Sequence, residues 1–191
     1  MRPTHSNAIA LVIWIACFVA PQASITVQDY SISVSLPPDW VPFRADVLHI
    51  SDRHVTTGKF YRRRDGSAAH YLDTPGGPAV TIHNLATRKT YVKLGDRTWA
   101  TRDVDESALG GPRRELRLPR RQIEVFHDAI LGDVYEFSNP GSAGVVRFVP
   151  RLNGFEVSYR FPNGVSREYL NISIGDQPDH LFMPPPAAGV P

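Results

Sequence analysis

The sequence predicts a mainly β protein built on a single twisted antiparallel sheet, with at most one or two short helices. Three observations predict it. From Gly58 to Val104, short runs of β-forming residues alternate with Asp65-Gly66, Pro75-Gly76-Gly77-Pro78 and Gly95-Asp96, the punctuation of an antiparallel meander. Ile25 to Leu36 alternates strictly, with Tyr30, Ile32, Val34 and Leu36 on one face and Asp29, Ser31, Ser33 and Ser35 on the other, as a half-buried strand does. One segment only, Arg120 to Leu131, carries a helical pattern.

The elements follow in order. Pro37-Pro38 ends the first strand by removing ladder donors, and Trp40 in the following connection packs over the sheet edge. Phe43 to Ser51 and Val55 to Arg63 read as strands joined by a turn at Asp52-Arg53-His54. Asp65-Gly66 is a strong hairpin signal, because both turn positions favour positive φ. Ser67 to Thr74, Ala79 to Asn84, Thr90 to Leu94 and Thr98 to Val104 continue the meander. Asp105 to Pro119 reads as a polar, mobile loop. Arg120 to Leu131 then reads as a helix opened by Pro119, with Ile123, Phe126 and Ile130 on one face and Gly132 as its cap; a strand through Ile123 and Val125 competes with it. Four more strands are expected at Val134 to Ser138, Gly144 to Pro150, Gly154 to Phe161 and Ser166 to Ile174, and a proline-rich extended tail at Phe182 to Pro191.

The chain of 191 residues suffices for one domain with a core of its own. It opens with a signal-peptide pattern: Arg2, an apolar run from Ala8 to Ala20, then small residues. As a helix that run spans about 20 Å, short of the roughly 30 Å hydrocarbon layer, so no permanent membrane span is expected. Cleavage after Ala23 gives a signal peptide at 1–23, a domain at 24–183 and a tail at 184–191. It also removes Cys17, the sole cysteine, and leaves a disulfide-free domain in the periplasm or outside the cell. The rival reading acylates Cys17 as a lipoprotein.

Charge is unevenly distributed. Arg53 to Arg121 holds fifteen Lys/Arg against seven Asp/Glu, whereas Gln122 to Pro191 holds four against eight. A basic middle suits an anionic lipid, a glycan or an acidic envelope partner; equally, arginines can line a solvated sheet face and pair with the acidic flanks. Nucleic acid is not expected for an exported chain.

Catalytic and cofactor motifs do not emerge. Gly141-Ser142-Ala143-Gly144 lacks nucleophile-elbow spacing, and no histidine spacing matches a zinc motif. His70 and His83 fall on strands that can be neighbours, which leaves a two-histidine metal site open beside plain strand histidines. Asp103-Val104-Asp105-Glu106 offers oxygen atoms to a cation but sits where a strand frays into a loop. Asn171-Ile172-Ser173 matches the glycosylation pattern. The sharpest local feature is Arg62-Arg63-Arg64. In an extended strand Arg62 and Arg64 share a face with Phe60, a combination fit for a phosphate or carboxylate beside an acyl chain, or for a charged edge strand.

Two stretches carry a resemblance. Lys59-Phe60-Tyr61-Arg62 with Asp65-Gly66-Ser67 is similar to a hairpin of uncharacterised exported bacterial proteins of acidobacterial type. Arg167-Glu168-Tyr169-Leu170-Asn171-Ile172, followed by Gly175-Asp176-Gln177-Pro178-Asp179 and Leu181-Phe182, resembles their closing signature. That group in turn resembles the periplasmic outer-membrane lipoprotein carrier and envelope-stress sensor fold. The resemblance implies a sheet curled into an open half-barrel around a hydrophobic cavity that binds a hydrophobic or lipid-like ligand, without catalysis or cofactor. The chain departs from the pattern at Ala68-Ala69-His70 and in the length between Gly132 and Arg167. By parity, Val80, Ile82, Val92 and Leu94 are expected to face the cavity with Phe60, and Arg62 and Arg64 to stand at its mouth. An interaction module with a basic sheet face is the alternative.

Overall fold

A computed structural model describes residues 31–51, 54–105, 111–119, 123–139 and 144–184. The expected signal segment with Cys17, the Asp52-Arg53 turn, Ser142, Glu106 and the tail beyond Pro184 lie outside the described residues. The architecture is mainly β. Strand β1 (Ser31–Ser35) pairs with β8 (Glu115–Pro119) as a separate two-stranded ribbon. Strands β2 (Phe43–Ser51), β3 (His54–Arg62), β4 (Ala68–Thr74), β5 (Gly77–Asn84), β6 (Lys89–Leu94) and β7 (Ala100–Asp103) form one antiparallel meander. Strands β9 (Ile123–Asp128), β10 (Gly132–Asn139), β11 (Gly144–Val149), β12 (Phe155–Arg160) and β13 (Ser166–Ile174) form a second. Pairing of β13 with β2 fuses them into one eleven-stranded sheet, ordered β7-β6-β5-β4-β3-β2-β13-β12-β11-β10-β9. The sheet curls but stays open, with β7 and β9 as its edges. The only helical pieces among the described residues are single 3₁₀ turns at Pro150–Leu152 and Asp179–Phe182.

Three expectations are corrected. The segment around Arg120 to Leu131 is not a helix: Ile123–Asp128 is edge strand β9, with Ile123 opposite Phe137 and Val125 opposite Tyr135. Asp128 turns the chain instead, its Oδ1 accepting hydrogen bonds from the Ile130 and Leu131 amides at 2.8 Å each. The helical face would have gained little, since Phe126 and Ile130 remain exposed. The polar loop at Asp105 to Pro119 contains β8. Its Leu116 and Leu118 alternate with Glu115 and Arg117, and bury with Leu36 against Ile123, Tyr135 and Phe148. Phe182 is no part of a free tail: it is fully buried against Ala69 and Ile82.

A polar rivet fixes the approach to β2. Buried Asn153, in a left-handed conformation at φ 61°, donates through Nδ2 to the Pro37 and Asp39 carbonyls at 3.1 and 2.8 Å. Its Oδ1 accepts the Val41 amide at 2.8 Å. The Pro37–Val41 connection thus hangs on the turn after β11.

Register decides the two faces of the β2–β7 half. One face carries Phe43, Ala45, Val47 and His49 of β2, Phe60 and Arg62 of β3, His70 and Leu72 of β4, Thr81 and His83 of β5, and Val92 and Leu94 of β6. The other carries Asp46 and Leu48, Lys59 and Tyr61, Ala69 and Tyr71, Val80 and Ile82, then Tyr91 and Lys93. We call them the aromatic face and the tail face. On the tail face Asp179–Phe182 docks: the Tyr71 hydroxyl donates to the Leu181 carbonyl at 2.8 Å and Asn84 Nδ2 to the Phe182 carbonyl at 2.9 Å.

Gly58 lets β3 and β4 approach. A Cβ there would collide with the Tyr71 carbonyl oxygen and lie 2.8 Å from the Leu72 Cα. Both obstacles are backbone or core, so neither yields cheaply. Gly58→Ala is expected to cost about 1–3 kcal/mol, read from the midpoint of urea unfolding; an unchanged midpoint would contradict the close approach.

Candidate functional site

A groove of about 570 Å³ lies on the tail face, within the usual range of about 300–1,000 Å³ for small-molecule sites. Its floor is apolar: Leu48 of β2, Tyr71 of β4, Pro78 and Val80 of β5, and Leu170 of β13. These strands are in register on one face because β13-β2-β3-β4-β5 are consecutive neighbours. Tyr71 and Val80 also pack against the docked 179–182 turn, so the tail bounds the groove at that end. At the rim Asp46, Lys59 and Asn171 satisfy one another, while Asp73 stands exposed beside them. Asp46 pairs with Lys59 and accepts from Asn171 Nδ2 at 2.8 Å. Those two hydrogen bonds, Asn171 first, hold its carboxyl below the usual range. A guest would therefore be held chiefly by apolar contact.

The aromatic face is closed by a box of rings. Phe60 stacks on Phe155 at 5.1 Å between centroids, Phe43 meets both edge-on or tilted, and Tyr169 stands against Phe155 at 4.8 Å. The Arg62 guanidinium lies inside, 4.7 Å from the Phe155 ring centre and 4.9 Å from that of Trp40. Its Nε is enclosed without a hydrogen-bond partner, and burial pushes the group down to about 10. Ring faces return part of that loss, since each cation–π contact contributes about 0.5–2 kcal/mol.

The three consecutive arginines thus have three fates. Arg62 is boxed. Arg63 binds Asp65 and, at 2.8 Å, Asp179, with its guanidinium over the Phe182 ring at 5.2 Å; it staples the hairpin to the tail. Arg64 is exposed and meets Asp176 at 3.3 Å, a surface pair of little energetic weight.

The residues expected to line one cavity are divided. Phe60, Arg62, Val92 and Leu94 lie on the aromatic face; Val80 and Ile82 lie on the tail face, opposite Lys93 and Tyr91. The error is one of parity. The connection Leu85–Arg88 has four residues, so even-numbered positions of β5 face odd-numbered ones of β6. Val80 alone of that set lines the groove, Ile82 is buried beneath Phe182, and Leu94 is exposed. Arg62 is inside the core rather than at a mouth. Trp40, Phe155 and Tyr169 of the box, and Leu48, Tyr71 and Leu170 of the groove, were not among the site residues expected from sequence; counting loop residues would have given the correct parity for β5 and β6.

His127 meets the Asp133 carboxylate at 3.1 Å on exposed strands. Among the described residues no group of three or more His, Cys, Asp or Glu side chains is placed to hold a metal. Asp103 pairs instead with Lys89 at 2.6 Å. His70, half-buried between Phe60 and Tyr169, is pushed down to about 4 by burial first and by Arg167, His83 and Arg62 after it. Its Nε2 lies 3.4 Å from the Tyr169 hydroxyl. No family model matches the chain, and no curated protein matches it.

Two outcomes follow from these burials. Arg62→Met removes an unpaired charge and keeps the packing volume, so stability is expected to rise by about 1 kcal/mol; thermal unfolding decides, and a loss of that size would show that the rings more than compensate burial. For His70, the unfolded chain takes up its proton near 6.5 and the folded chain only near 4. Stability therefore falls as pH drops through that interval, by about 3 kcal/mol at most, and His70→Gln should flatten this part of the profile.

Proposed function

We propose that the protein is an exported, non-catalytic binder of a hydrophobic or lipid-like ligand in the cell envelope, and that the tail-face groove is where the ligand sits. The observation that carries this reading is the groove itself: an open, mainly apolar depression of about 570 Å³ at whose rim Asp46 is already paired with Lys59 and Asn171. Burying a ligand on such a floor yields about 25 cal/mol per Å² of apolar area and leaves the Asp46–Lys59 pair intact. Its open, curled sheet agrees with the half-barrel carriers and sensors that the hairpin and closing motifs resemble. The apolar leader and the absence of cysteine after residue 17 support an exported destination.

The tail gives the groove a structural end-stop. Gly175 donates its amide to the Pro42 carbonyl at 3.0 Å, Arg63 holds Asp179, and Phe182 fills the space over Ala69 and Ile82. The chain therefore spends its closing motif on one boundary of the groove.

Binding of an uncharged fluorescent apolar probe, such as N-phenylnaphthylamine, tests the reading. Leu170 is exposed on the groove floor, so Leu170→Arg should leave the circular dichroism spectrum unchanged while weakening probe binding at least about tenfold. Equal binding by the variant, or none by the parent protein, would overturn the assignment.

A further inference from the structure

The opposite face of the sheet carries a second feature, independent of the groove. On β2–β7 and β13 the aromatic face holds His49, His54, His70 and His83 together with Arg62, Arg102 and Arg167, while Asp46, Asp73, Asp103 and Glu168 all point to the tail face. The positions of these histidines share no parity in the sequence; register alone collects them. Between β2 and β4, the strand β3 presents Gly58 to this face, with Val47 and Leu72 as its cross-strand neighbours. Beside this gap is a cavity of about 130 Å³, lined by Val47, His49, His70, Leu72, Thr81 and Arg167.

We propose that this cavity is a receptor for one oxyanion group, a phosphate or carboxylate, held by Arg167, His49 and His70. Its volume equals about four water molecules at roughly 30 Å³ each, enough for such a group but not for an acyl chain. No lining residue is acidic. Arg167 stacks over Tyr159 at 5.6 Å and has no carboxylate within ion-pairing distance among the described residues. His49 and His70 both lie below their ordinary range, because burial and the facing Arg167 oppose protonation. Arg62 from β3 and His83 from β5 add positive charge toward His70. Tyr169 of β13 stays neutral, raised mainly by burial. Glu156 of β12 is a nearby acid outside the cavity lining; burial raises its carboxyl first, and the attraction of Arg167 acts the other way. Burial and Arg167 keep the two imidazoles neutral, and an arriving oxyanion reverses the balance: the two imidazoles then gain protons, and binding tightens as pH falls.

The test is a pH titration of the imidazole nitrogens by long-range ¹H–¹⁵N correlation NMR, at constant ionic strength, in chloride, in inorganic phosphate, and with dodecyl phosphate. Placing the Leu170→Arg substitution in the background for the dodecyl phosphate arm blocks the groove, so that only the head group can report. Phosphate is expected to raise the titration midpoints of His49 and His70 by about one pH unit or more, leaving His127 on distant β9 unmoved. Phosphate binding should strengthen about tenfold per unit of midpoint shift, the His70 part of it as pH falls from the raised midpoint toward about 4. Arg167→Gln, a half-exposed position, should abolish the shift. A response to inorganic phosphate assigns the site to a free oxyanion, and a response to dodecyl phosphate alone assigns it to a lipid head group. Midpoints that move with neither, or that move equally in Arg167→Gln, overturn the proposal; the wild-type titration suffices for this even if a variant does not fold. Failure of the apolar probe to bind the groove would leave these midpoints untouched, so the two assignments fall separately.

Discussion

The antiparallel pairing of Phe43–Ser51 with Ser166–Ile174 is the contact on which the rest depends. Each half of the chain makes its own meander from local hairpins, and neither half has a complete apolar shield. Joining β2 to β13 brings Phe155 and Tyr169 of the second meander over Phe43 and Phe60 of the first. The loop closed by this contact exceeds a hundred residues, but closure entropy grows only logarithmically with length. A ring cluster of this size offsets it. The register shift between Leu170 and Ser173, with Asn171 at φ 50°, bends β13 at the same place and turns Asn171 toward Asp46.

From that junction the two faces acquire different chemistry. On the tail face Asp46 pairs with Lys59 and Asp103 with Lys89, an apolar floor remains open, and the 179–182 turn covers only part of it. On the aromatic face the reverse holds. Its rings pack around Arg62, and a small cavity beside them is lined by Arg167, His49 and His70 with no acidic side chain. Apolar floor and basic pocket therefore lie back to back across a single layer, with Val47, Gly58 and Leu72 forming the partition. Gly58 matters to both, since a side chain there would drive β4 away and change each cavity.

Arg62 shows how a strong sequence signal can point to the wrong location. Three adjacent arginines suggest a charged rim. The hairpin geometry at Asp65-Gly66, where Arg63 NH meets the Ser67 carbonyl at 2.8 Å, fixes the end of β3 so that Arg62 falls on the inward face. Only Arg64 emerges into solvent as a rim residue would. The closing motif had the opposite outcome: it read as a run into an extended tail, yet its Leu181 and Phe182 are core residues, because the meander leaves Ala69 and Ile82 bare until something returns to cover them.

The sequence by itself determined the strands and their turns. Alternation and Gly, Pro and Asp punctuation are local signals, and β2 to β6 and β10 to β13 stand within a few residues of where those signals place them. It could not determine β8 or β9. Five- and six-residue segments carry too little periodicity to choose between loop, helix and strand until Leu36, Tyr135 and Phe137 supply a surface. Tertiary structure alone decided which strands became neighbours across the chain, and which side chains shared a face. A one-residue change of register exchanges every side chain between faces, so Val80 parts from Val92, and His49 joins His70, through hairpin length and the β2–β13 contact rather than through any property of those residues.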